Sequence, residues 1–219
     1  MRSITIYDYI YGLITIQLMS ITLIIIVITS LVSITTFTRP GDMEKLSFWP
    51  YQVNHRNQYY RFFTSGLVHR DFMHLFFNML SLYFFGDYIS FYFERVLGSV
   101  YYFPLLYVLG LVLPDVANYF KYKDVYGYQS IGASGAVSAV LFSCVLFDPW
   151  QKIGLYFFIP MWFILYAVLY LVYSAYMSRR GGDGIDHSAH FWGAVLGLVF
   201  PIVIKPAVFT YFLQRLLNP

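Results

Sequence analysis

Residues 125–147 read VYGYQSIGASGAVSAVLFSCVLF, 23 consecutive positions without a charged side chain. About 20 mostly apolar residues, within a range of roughly 17–25, suffice to cross a bilayer as a helix. The run meets that length, and it carries a cluster of small residues, Gly132, Ala133, Ser134 and Gly135. Outward from it, charges punctuate the rest of the chain in the same way. Uncharged runs cover 9–38, 96–114, 153–178 and 187–204, and a sixth apolar segment, 74–93, carries only Asp87 until its end. The expected spans are 10–36, 74–93, 96–116, 132–147, 153–177 and 187–204, in a single all-α membrane domain over residues 1–219.

Composition agrees with that reading. Of 219 residues, 59% are hydrophobic and 11% charged, against roughly a quarter charged in soluble domains. A soluble fold of this size could not hide so much apolar surface, so lipid must cover part of it. The net charge of +3 is small and scattered; no basic patch interleaved with aromatics suggests nucleic acid. Cys144 is the single cysteine, which excludes an intrachain disulfide and a cysteine-rich metal site. The first apolar run is too long for a signal-peptide core and lacks a small-residue cleavage site, so a retained span is expected. Residues 38–73 form a long connection with Pro40, Gly41 and Trp49; a loop of that length is usually functional or docked on the domain. The glycines Gly181, Gly182 and Gly184 mark a second, mobile connection.

Polar groups inside a membrane are expensive and are functional candidates by default. Ser134 lies between residues with almost no side chain, which lets either a neighbouring helix or a substrate backbone come close. Ala189, Gly193 and Gly197 fall four apart on one helix face, with His190 at its edge. Spans four and six begin on the same side of the membrane, so Ser134 and His190 share depth on glycine-lined faces. Each alone reads as packing or as a hydrogen-bonded structural residue. Together they read as a serine with the adjacent base it needs to become a nucleophile. His74 and Asn78, four apart at the start of span two, are stacked on one face; they suit either an interhelical hydrogen-bond pair or an oxyanion hole. Arg61, in Gln58-Tyr59-Tyr60-Arg61, reads as an aromatic-basic anchor at the membrane interface.

From about Gln58 to Phe200 the chain resembles the rhomboid intramembrane serine proteases. The resemblance rests on His74-xxx-Asn78, Gly132-x-Ser134-Gly135 and Ala189-His190-xx-Gly193-xxx-Gly197, in order and on the matching spans. It implies a six-helix rhomboid-like bundle with a long, partly embedded first loop. It implies Ser134 as nucleophile, His190 as general base, and an oxyanion hole of His74, Asn78 and the Ser134 backbone amide. Gly132, Gly135, Gly193, Gly197 and Arg61 take supporting roles. Transmembrane helices of other proteins, in the lipid bilayer, are the implied substrates, with no metal or cofactor. The expected location is a bacterial cytoplasmic (inner) membrane.

Three positions depart from the family pattern. Tyr60-Arg61 stands where a Trp-Arg pair is common. Ser138 occupies the position from which a tyrosine often packs on the catalytic histidine. Glu94 follows Gly86 about one helical turn later than usual. Orientation is a further conflict. With the active-site face outside, 5 of the 14 lysines and arginines fall on the cytoplasmic side and 9 on the outer side, opposite to the positive-inside rule.

Competing readings draw on the same residues. His187 and His190 at i, i+3, with His69, His74, Asp183 and Asp186, could hold a metal, but the His-Glu-x-x-His signature is absent. A catalytically inactive binding or chaperone module would be expected to have lost Ser134 or His190, and both are present.

Overall fold

A computed structural model describes residues 20–155, 159–182 and 184–218. Its described residues form ten α-helices and one two-stranded hairpin. In chain order they are α1 (Ile21–Phe37), α2 (Pro40–Leu46), α3 (Pro50–Arg56), α4 (Arg61–Thr64), α5 (Phe72–Tyr92), α6 (Tyr102–Tyr122) and α7 (Ser134–Phe147). The hairpin of β1 (Lys152–Leu155) and β2 (Ile159–Trp162) follows, then α8 (Phe163–Arg180), α9 (His187–Ile204) and α10 (Ala207–Leu217).

The central helix is α7, packed against α5, α6 and α9, with nearly every side chain buried. Small residues make this possible. A methyl on Gly193 would strike the Gly135 carbonyl, and one on Gly197 the Ala139 carbonyl. A methyl on Gly110 of α6 would lie 2.6 Å from the Ala136 Cα. Backbones therefore touch on both sides of α7, the close packing that small residues permit in membranes. The hydroxyl of Ser143 donates to the Gly197 carbonyl at 2.7 Å and ties α7 to α9.

The outer helices are inverted relative to a water-soluble protein. On α1 the buried side chains are Thr22, Thr29, Ser33 and Thr36, while Ile24, Val27, Ile28, Leu31 and Ile34 are exposed. On α8, Leu165, Val168, Leu169 and Val172 are exposed. Large apolar faces turned outward suit lipid as solvent, where helices associate through small and polar residues instead.

Several elements differ from the sequence expectation. The third span was expected over 96–116, but α6 covers Tyr102–Tyr122. The chain after α5 first passes through a π-helical turn, Phe93–Leu97, and is stopped by Gly98 at φ +92°. Glu94 lies exposed within that turn. The fifth span was expected over 153–177, yet the chain forms the hairpin and only then α8. Pro160 lies in the middle of that stretch, where a missing N–H and a ring clash disfavour a helix interior. The fold is thus helical with a small β element, not purely α. Among the described residues, only α6 and α9 are both long and apolar enough to qualify as spans by length and composition; α1 and α7 are shorter apolar helices. Residues 10–19 of the expected first span lie outside the described residues. The first loop holds α2–α4; α3 and α4 pack on α6.

Candidate active site

The strand-like segment before α7 is built into the first loop. Phe48 and Ser130 exchange backbone hydrogen bonds at 2.9 and 3.0 Å, and the Gly132 N–H donates to the Ser65 carbonyl at 2.9 Å. Arg61 organises the loop from within. It is 4% exposed and donates to the carbonyls of Glu44 and Ser47 at 2.8 and 2.7 Å and to Gln58 Oε1 at 2.6 Å. The expected interface anchor is therefore a buried brace: its fork gathers main-chain acceptors from 14 and 17 positions away in the loop.

His69, which the sequence offered only as a metal ligand, is another brace. Its Nε2 accepts from the Ala133 N–H at 3.4 Å, and its Nδ1 lies 2.9 Å from Ser33 Oγ. Ser33 in turn donates to the Leu67 carbonyl at 2.9 Å. With Nε2 accepting and the Ser33 proton already donated, Nδ1 carries the imidazole hydrogen. The ring is fully buried. Burial, followed by the neighbouring His74, lowers its pKa to about 3, so it stays neutral. Histidine in Val68-His69-Arg70 gave no periodic signal; only its place just before the Asp71 helix cap hinted at a structural task.

Gly132 turns the chain into α7 at φ +115°, a conformation that L side chains rarely adopt. The His74 ring lies over it, and a methyl there would come 2.6 Å from His74 Cε1. Asp71 caps α5 by accepting from the His74 N–H at 2.8 Å. Asn78 Nδ2 donates to the His74 carbonyl at 2.8 Å, which uses one of its two amide hydrogens.

At the other wall, Asp186 caps α9 by accepting from the Ala189 N–H at 3.0 Å. Its second oxygen accepts from Asn118 Nδ2 and from the Tyr128 hydroxyl, both at 2.8 Å. The His190 ring stacks on Tyr170 of α8, centroids 6.3 Å apart and planes 19° off parallel. His187 meets it edge-on at 5.9 Å. With Ser138 at the position from which a tyrosine often packs, the stacking ring comes instead from span five; Trp192, two residues after His190, is exposed.

Among these residues His74, Asn78, Ser134, Ser138, Tyr170 and His190 line one cavity of about 1170 Å³. Gly135, Gly193 and Gly197 stand behind it as contact points between backbones, and Gly132 as the seat of the His74 ring. A metal reading has little to draw on: among the described residues no three His, Cys, Asp or Glu side chains gather as a ligand set. Asp183, named for such a site, lies outside the described residues.

Comparison with known proteins matches the same region. The Rhomboid domain profile covers residues 56–207. The chain is 28% identical over 163 residues to the Rhomboid protease GlpG of Haemophilus influenzae, covering 74% of this chain and 78% of that protein. It is 29% identical over 147 residues to the mitochondrial RHOMBOID-like protein 12 of Arabidopsis thaliana, covering 62% of this chain and 44% of that protein. It is 31% identical over 117 residues to Rhomboid-like protein 15 of the same plant, covering 48% and 26%. The chain thus spans less than half the length of either plant relative. With a mitochondrial plant protein and a bacterial protease both among these relatives, membership points to an integral membrane location and does not favour a bacterial inner membrane, the location expected from sequence. With the profile matching well over half of its length, the chain belongs to the rhomboid family.

Proposed function

We propose that this chain is an intramembrane serine protease that cuts transmembrane helices of other proteins with a Ser134–His190 dyad. The observation that carries the reading is the convergence of Ser134, His190, His74 and Asn78 on one cavity. The Ser134 hydroxyl attacks the scissile carbonyl carbon while His190 takes its proton. His74, the free amide hydrogen of Asn78 and the Ser134 N–H face the oxygen that gains charge. The C–N bond then breaks, and His190 returns the proton to the leaving amine. Water, deprotonated by His190, releases the acyl group and restores Ser134.

Six helices, α1 and α5–α9, form the membrane bundle in this reading. Depth follows from helix length. The 14 residues of α7 rise about 21 Å at roughly 1.5 Å each, short of the hydrocarbon core of about 30 Å. Its far end carries Asp148, bonded to Arg215 at 3.2 Å, and Trp150, both suited to an interface. Ser134 then stops about 9 Å below the opposite surface, by the difference of those lengths.

Cleavage of a single-pass substrate in liposomes tests the proposal. Ser134→Ala and His190→Ala each abolish it, and the double variant is no worse than either, because nucleophile and base act as a unit. A fluorophosphonate probe maps to Ser134. Cleavage that persists in Ser134→Ala, or labelling at Ser130, Ser138 or Ser188, removes the serine assignment.

A further inference from the structure

We infer that Tyr170 of α8 is the positioning residue for His190, and that Ser138 of α7 fixes Tyr170 in that task. The inference rests on the dyad reading and extends it to a residue on a third helix. Tyr170 is held at three points. Its hydroxyl lies 2.8 Å from Ser138 Oγ. Phe142 of α7 tilts against its ring at 5.2 Å, and Tyr166 of its own helix at 5.6 Å. The ring so fixed lies near-parallel to His190, planes 19° apart and centroids at 6.3 Å, inside the range for offset aromatic pairs.

A parallel ring opposes rotation of the imidazole about its χ2 bond, which is broad and weakly restrained on its own. Ser138 sits one helical turn beyond Ser134 on the same face of α7. The Ser138–Tyr170 bond therefore references the base to the helix that carries the nucleophile. Val168, Leu169 and Val172 on the same helix face outward, and Tyr173 meets His187 rather than the base, edge-on at 5.4 Å; Tyr170 is the α8 ring that lies directly against His190. The Ser138 and Tyr170 hydroxyls thereby give each other a hydrogen-bond partner where α7 and α8 meet.

The test is the rate at which a small fluorophosphonate labels Ser134 in detergent, since this needs no entry of a substrate helix. Turnover of a transmembrane substrate is measured beside it, with kcat and KM separated. Tyr170→Leu is expected to label about 10- to 100-fold more slowly, the scale of a misplaced catalytic group, and to lose kcat with KM within about twofold. Tyr170→Phe keeps the ring and recovers most of the rate. Ser138→Ala slows labelling about threefold in the wild-type background and not at all in Tyr170→Phe, because the two act through one hydrogen bond. Leu169→Ala, on the exposed face, labels at the wild-type rate.

Wild-type labelling in a folded Tyr170→Leu overturns the inference. So does a full loss in Tyr170→Phe that matches Tyr170→Leu, or an additive Ser138→Ala effect. If Tyr170→Leu does not fold, the Tyr170→Phe and Ser138→Ala cycle decides alone. Loss of labelling in Ser134→Ala beside wild-type labelling in Tyr170→Leu removes this inference and leaves the dyad; labelling that persists in Ser134→Ala removes the dyad beneath it.

Discussion

Residues 128–133, which lead into Ser134, are gripped along their length: Phe48 pairs with Ser130, Ser65 accepts from Gly132, and His69 accepts from Ala133. The segment leading into His190 is held otherwise. Gly181, Gly182 and Gly184 all have positive φ, and a methyl on either of the first two would meet nothing within 4 Å. Its fixed point is the Asp186 carboxylate, against Asn118, Tyr128 and the start of α9. The serine is thus placed by main-chain geometry, and the histidine by side chains that meet it from other helices. Substitutions that disturb the backbone before Ser134 should be the more damaging, and those before α9 the milder.

Gly132→Ala should show the largest effect. A side chain at φ +115° is strained by about 1–3 kcal/mol, and the new methyl meets the His74 ring. Either the turn into α7 or His74 must move. Labelling of Ser134 is expected to fall by at least about 100-fold, the scale of a displaced reacting group. The same substitution at Gly182 carries similar backbone strain, at φ +104°, but its methyl meets nothing within 4 Å; with no ring or helix start to displace, it should leave labelling within about threefold, and equal losses at the two glycines would erase the contrast.

His74→Ala and Asn78→Ala come next. Each removes one donor facing the cavity and leaves the Ser134 N–H in place, so turnover should drop but persist. One oxyanion donor is typically worth about 10²–10³ in rate; about 10- to 100-fold is expected here because the others remain. The check is kcat in liposomes, and unchanged turnover in both variants would remove them from the oxyanion hole.

The grip before Ser134 also has a pH signature. His69 has a folded pKa of about 3, below the ordinary 6.5. The unfolded chain therefore binds a proton that the folded one refuses, and stability is lost as pH falls from 6.5 towards 3. Each pH unit in that window costs about 1.4 kcal/mol, so pH 5 should lower stability by about 2 kcal/mol relative to pH 7. Thermal unfolding in detergent across that range should show a steeper acid loss for wild type than for His69→Gln. Parallel curves would mean that His69 does not hold the turn as a neutral acceptor.

Much of this was legible beforehand, for reasons particular residues make plain. The uncharged runs gave the apolar helices their order, and α9 begins and ends where its run does. Small residues at Ala189, Gly193 and Gly197 gave the α7 contact, because a four-residue repeat of small side chains has few other uses. The hairpin at 152–162 was hidden because its uncharged composition matches that of a span; only Pro160 and Gly154 spoke against a helix. Arg61 was misread because an aromatic-basic cluster suits an interface as well as a buried brace, and the carbonyls that decide between them lie 14 and 17 positions away in the chain. Tyr170 carried no signal. In a helix rich in Tyr, Leu and Val, the one tyrosine facing the base looks like those that face outward.

The mildest loss is expected where the His190 side depends on a charge. Asp186→Asn neutralises the carboxylate that caps α9 and lies four residues before His190. If Asp186 were the third member of a triad, neutralising it should reduce turnover by about 10⁴. Its oxygens are already engaged, one by the Ala189 N–H and the other by Asn118 and Tyr128, so its bonds hold the start of the helix. Asparagine caps helices about as well as aspartate, but with its oxygen on the Ala189 N–H the NH2 that replaces the second oxygen accepts from neither Asn118 nor Tyr128. The variant should therefore lose about 1–3 kcal/mol of stability and less than about tenfold in kcat, well short of triad scale. Measuring kcat and unfolding on the same preparation separates the two. A folded Asp186→Asn that loses near 10⁴ would make the carboxylate a working partner of the base, and the side-chain support of His190 would then begin at Asp186.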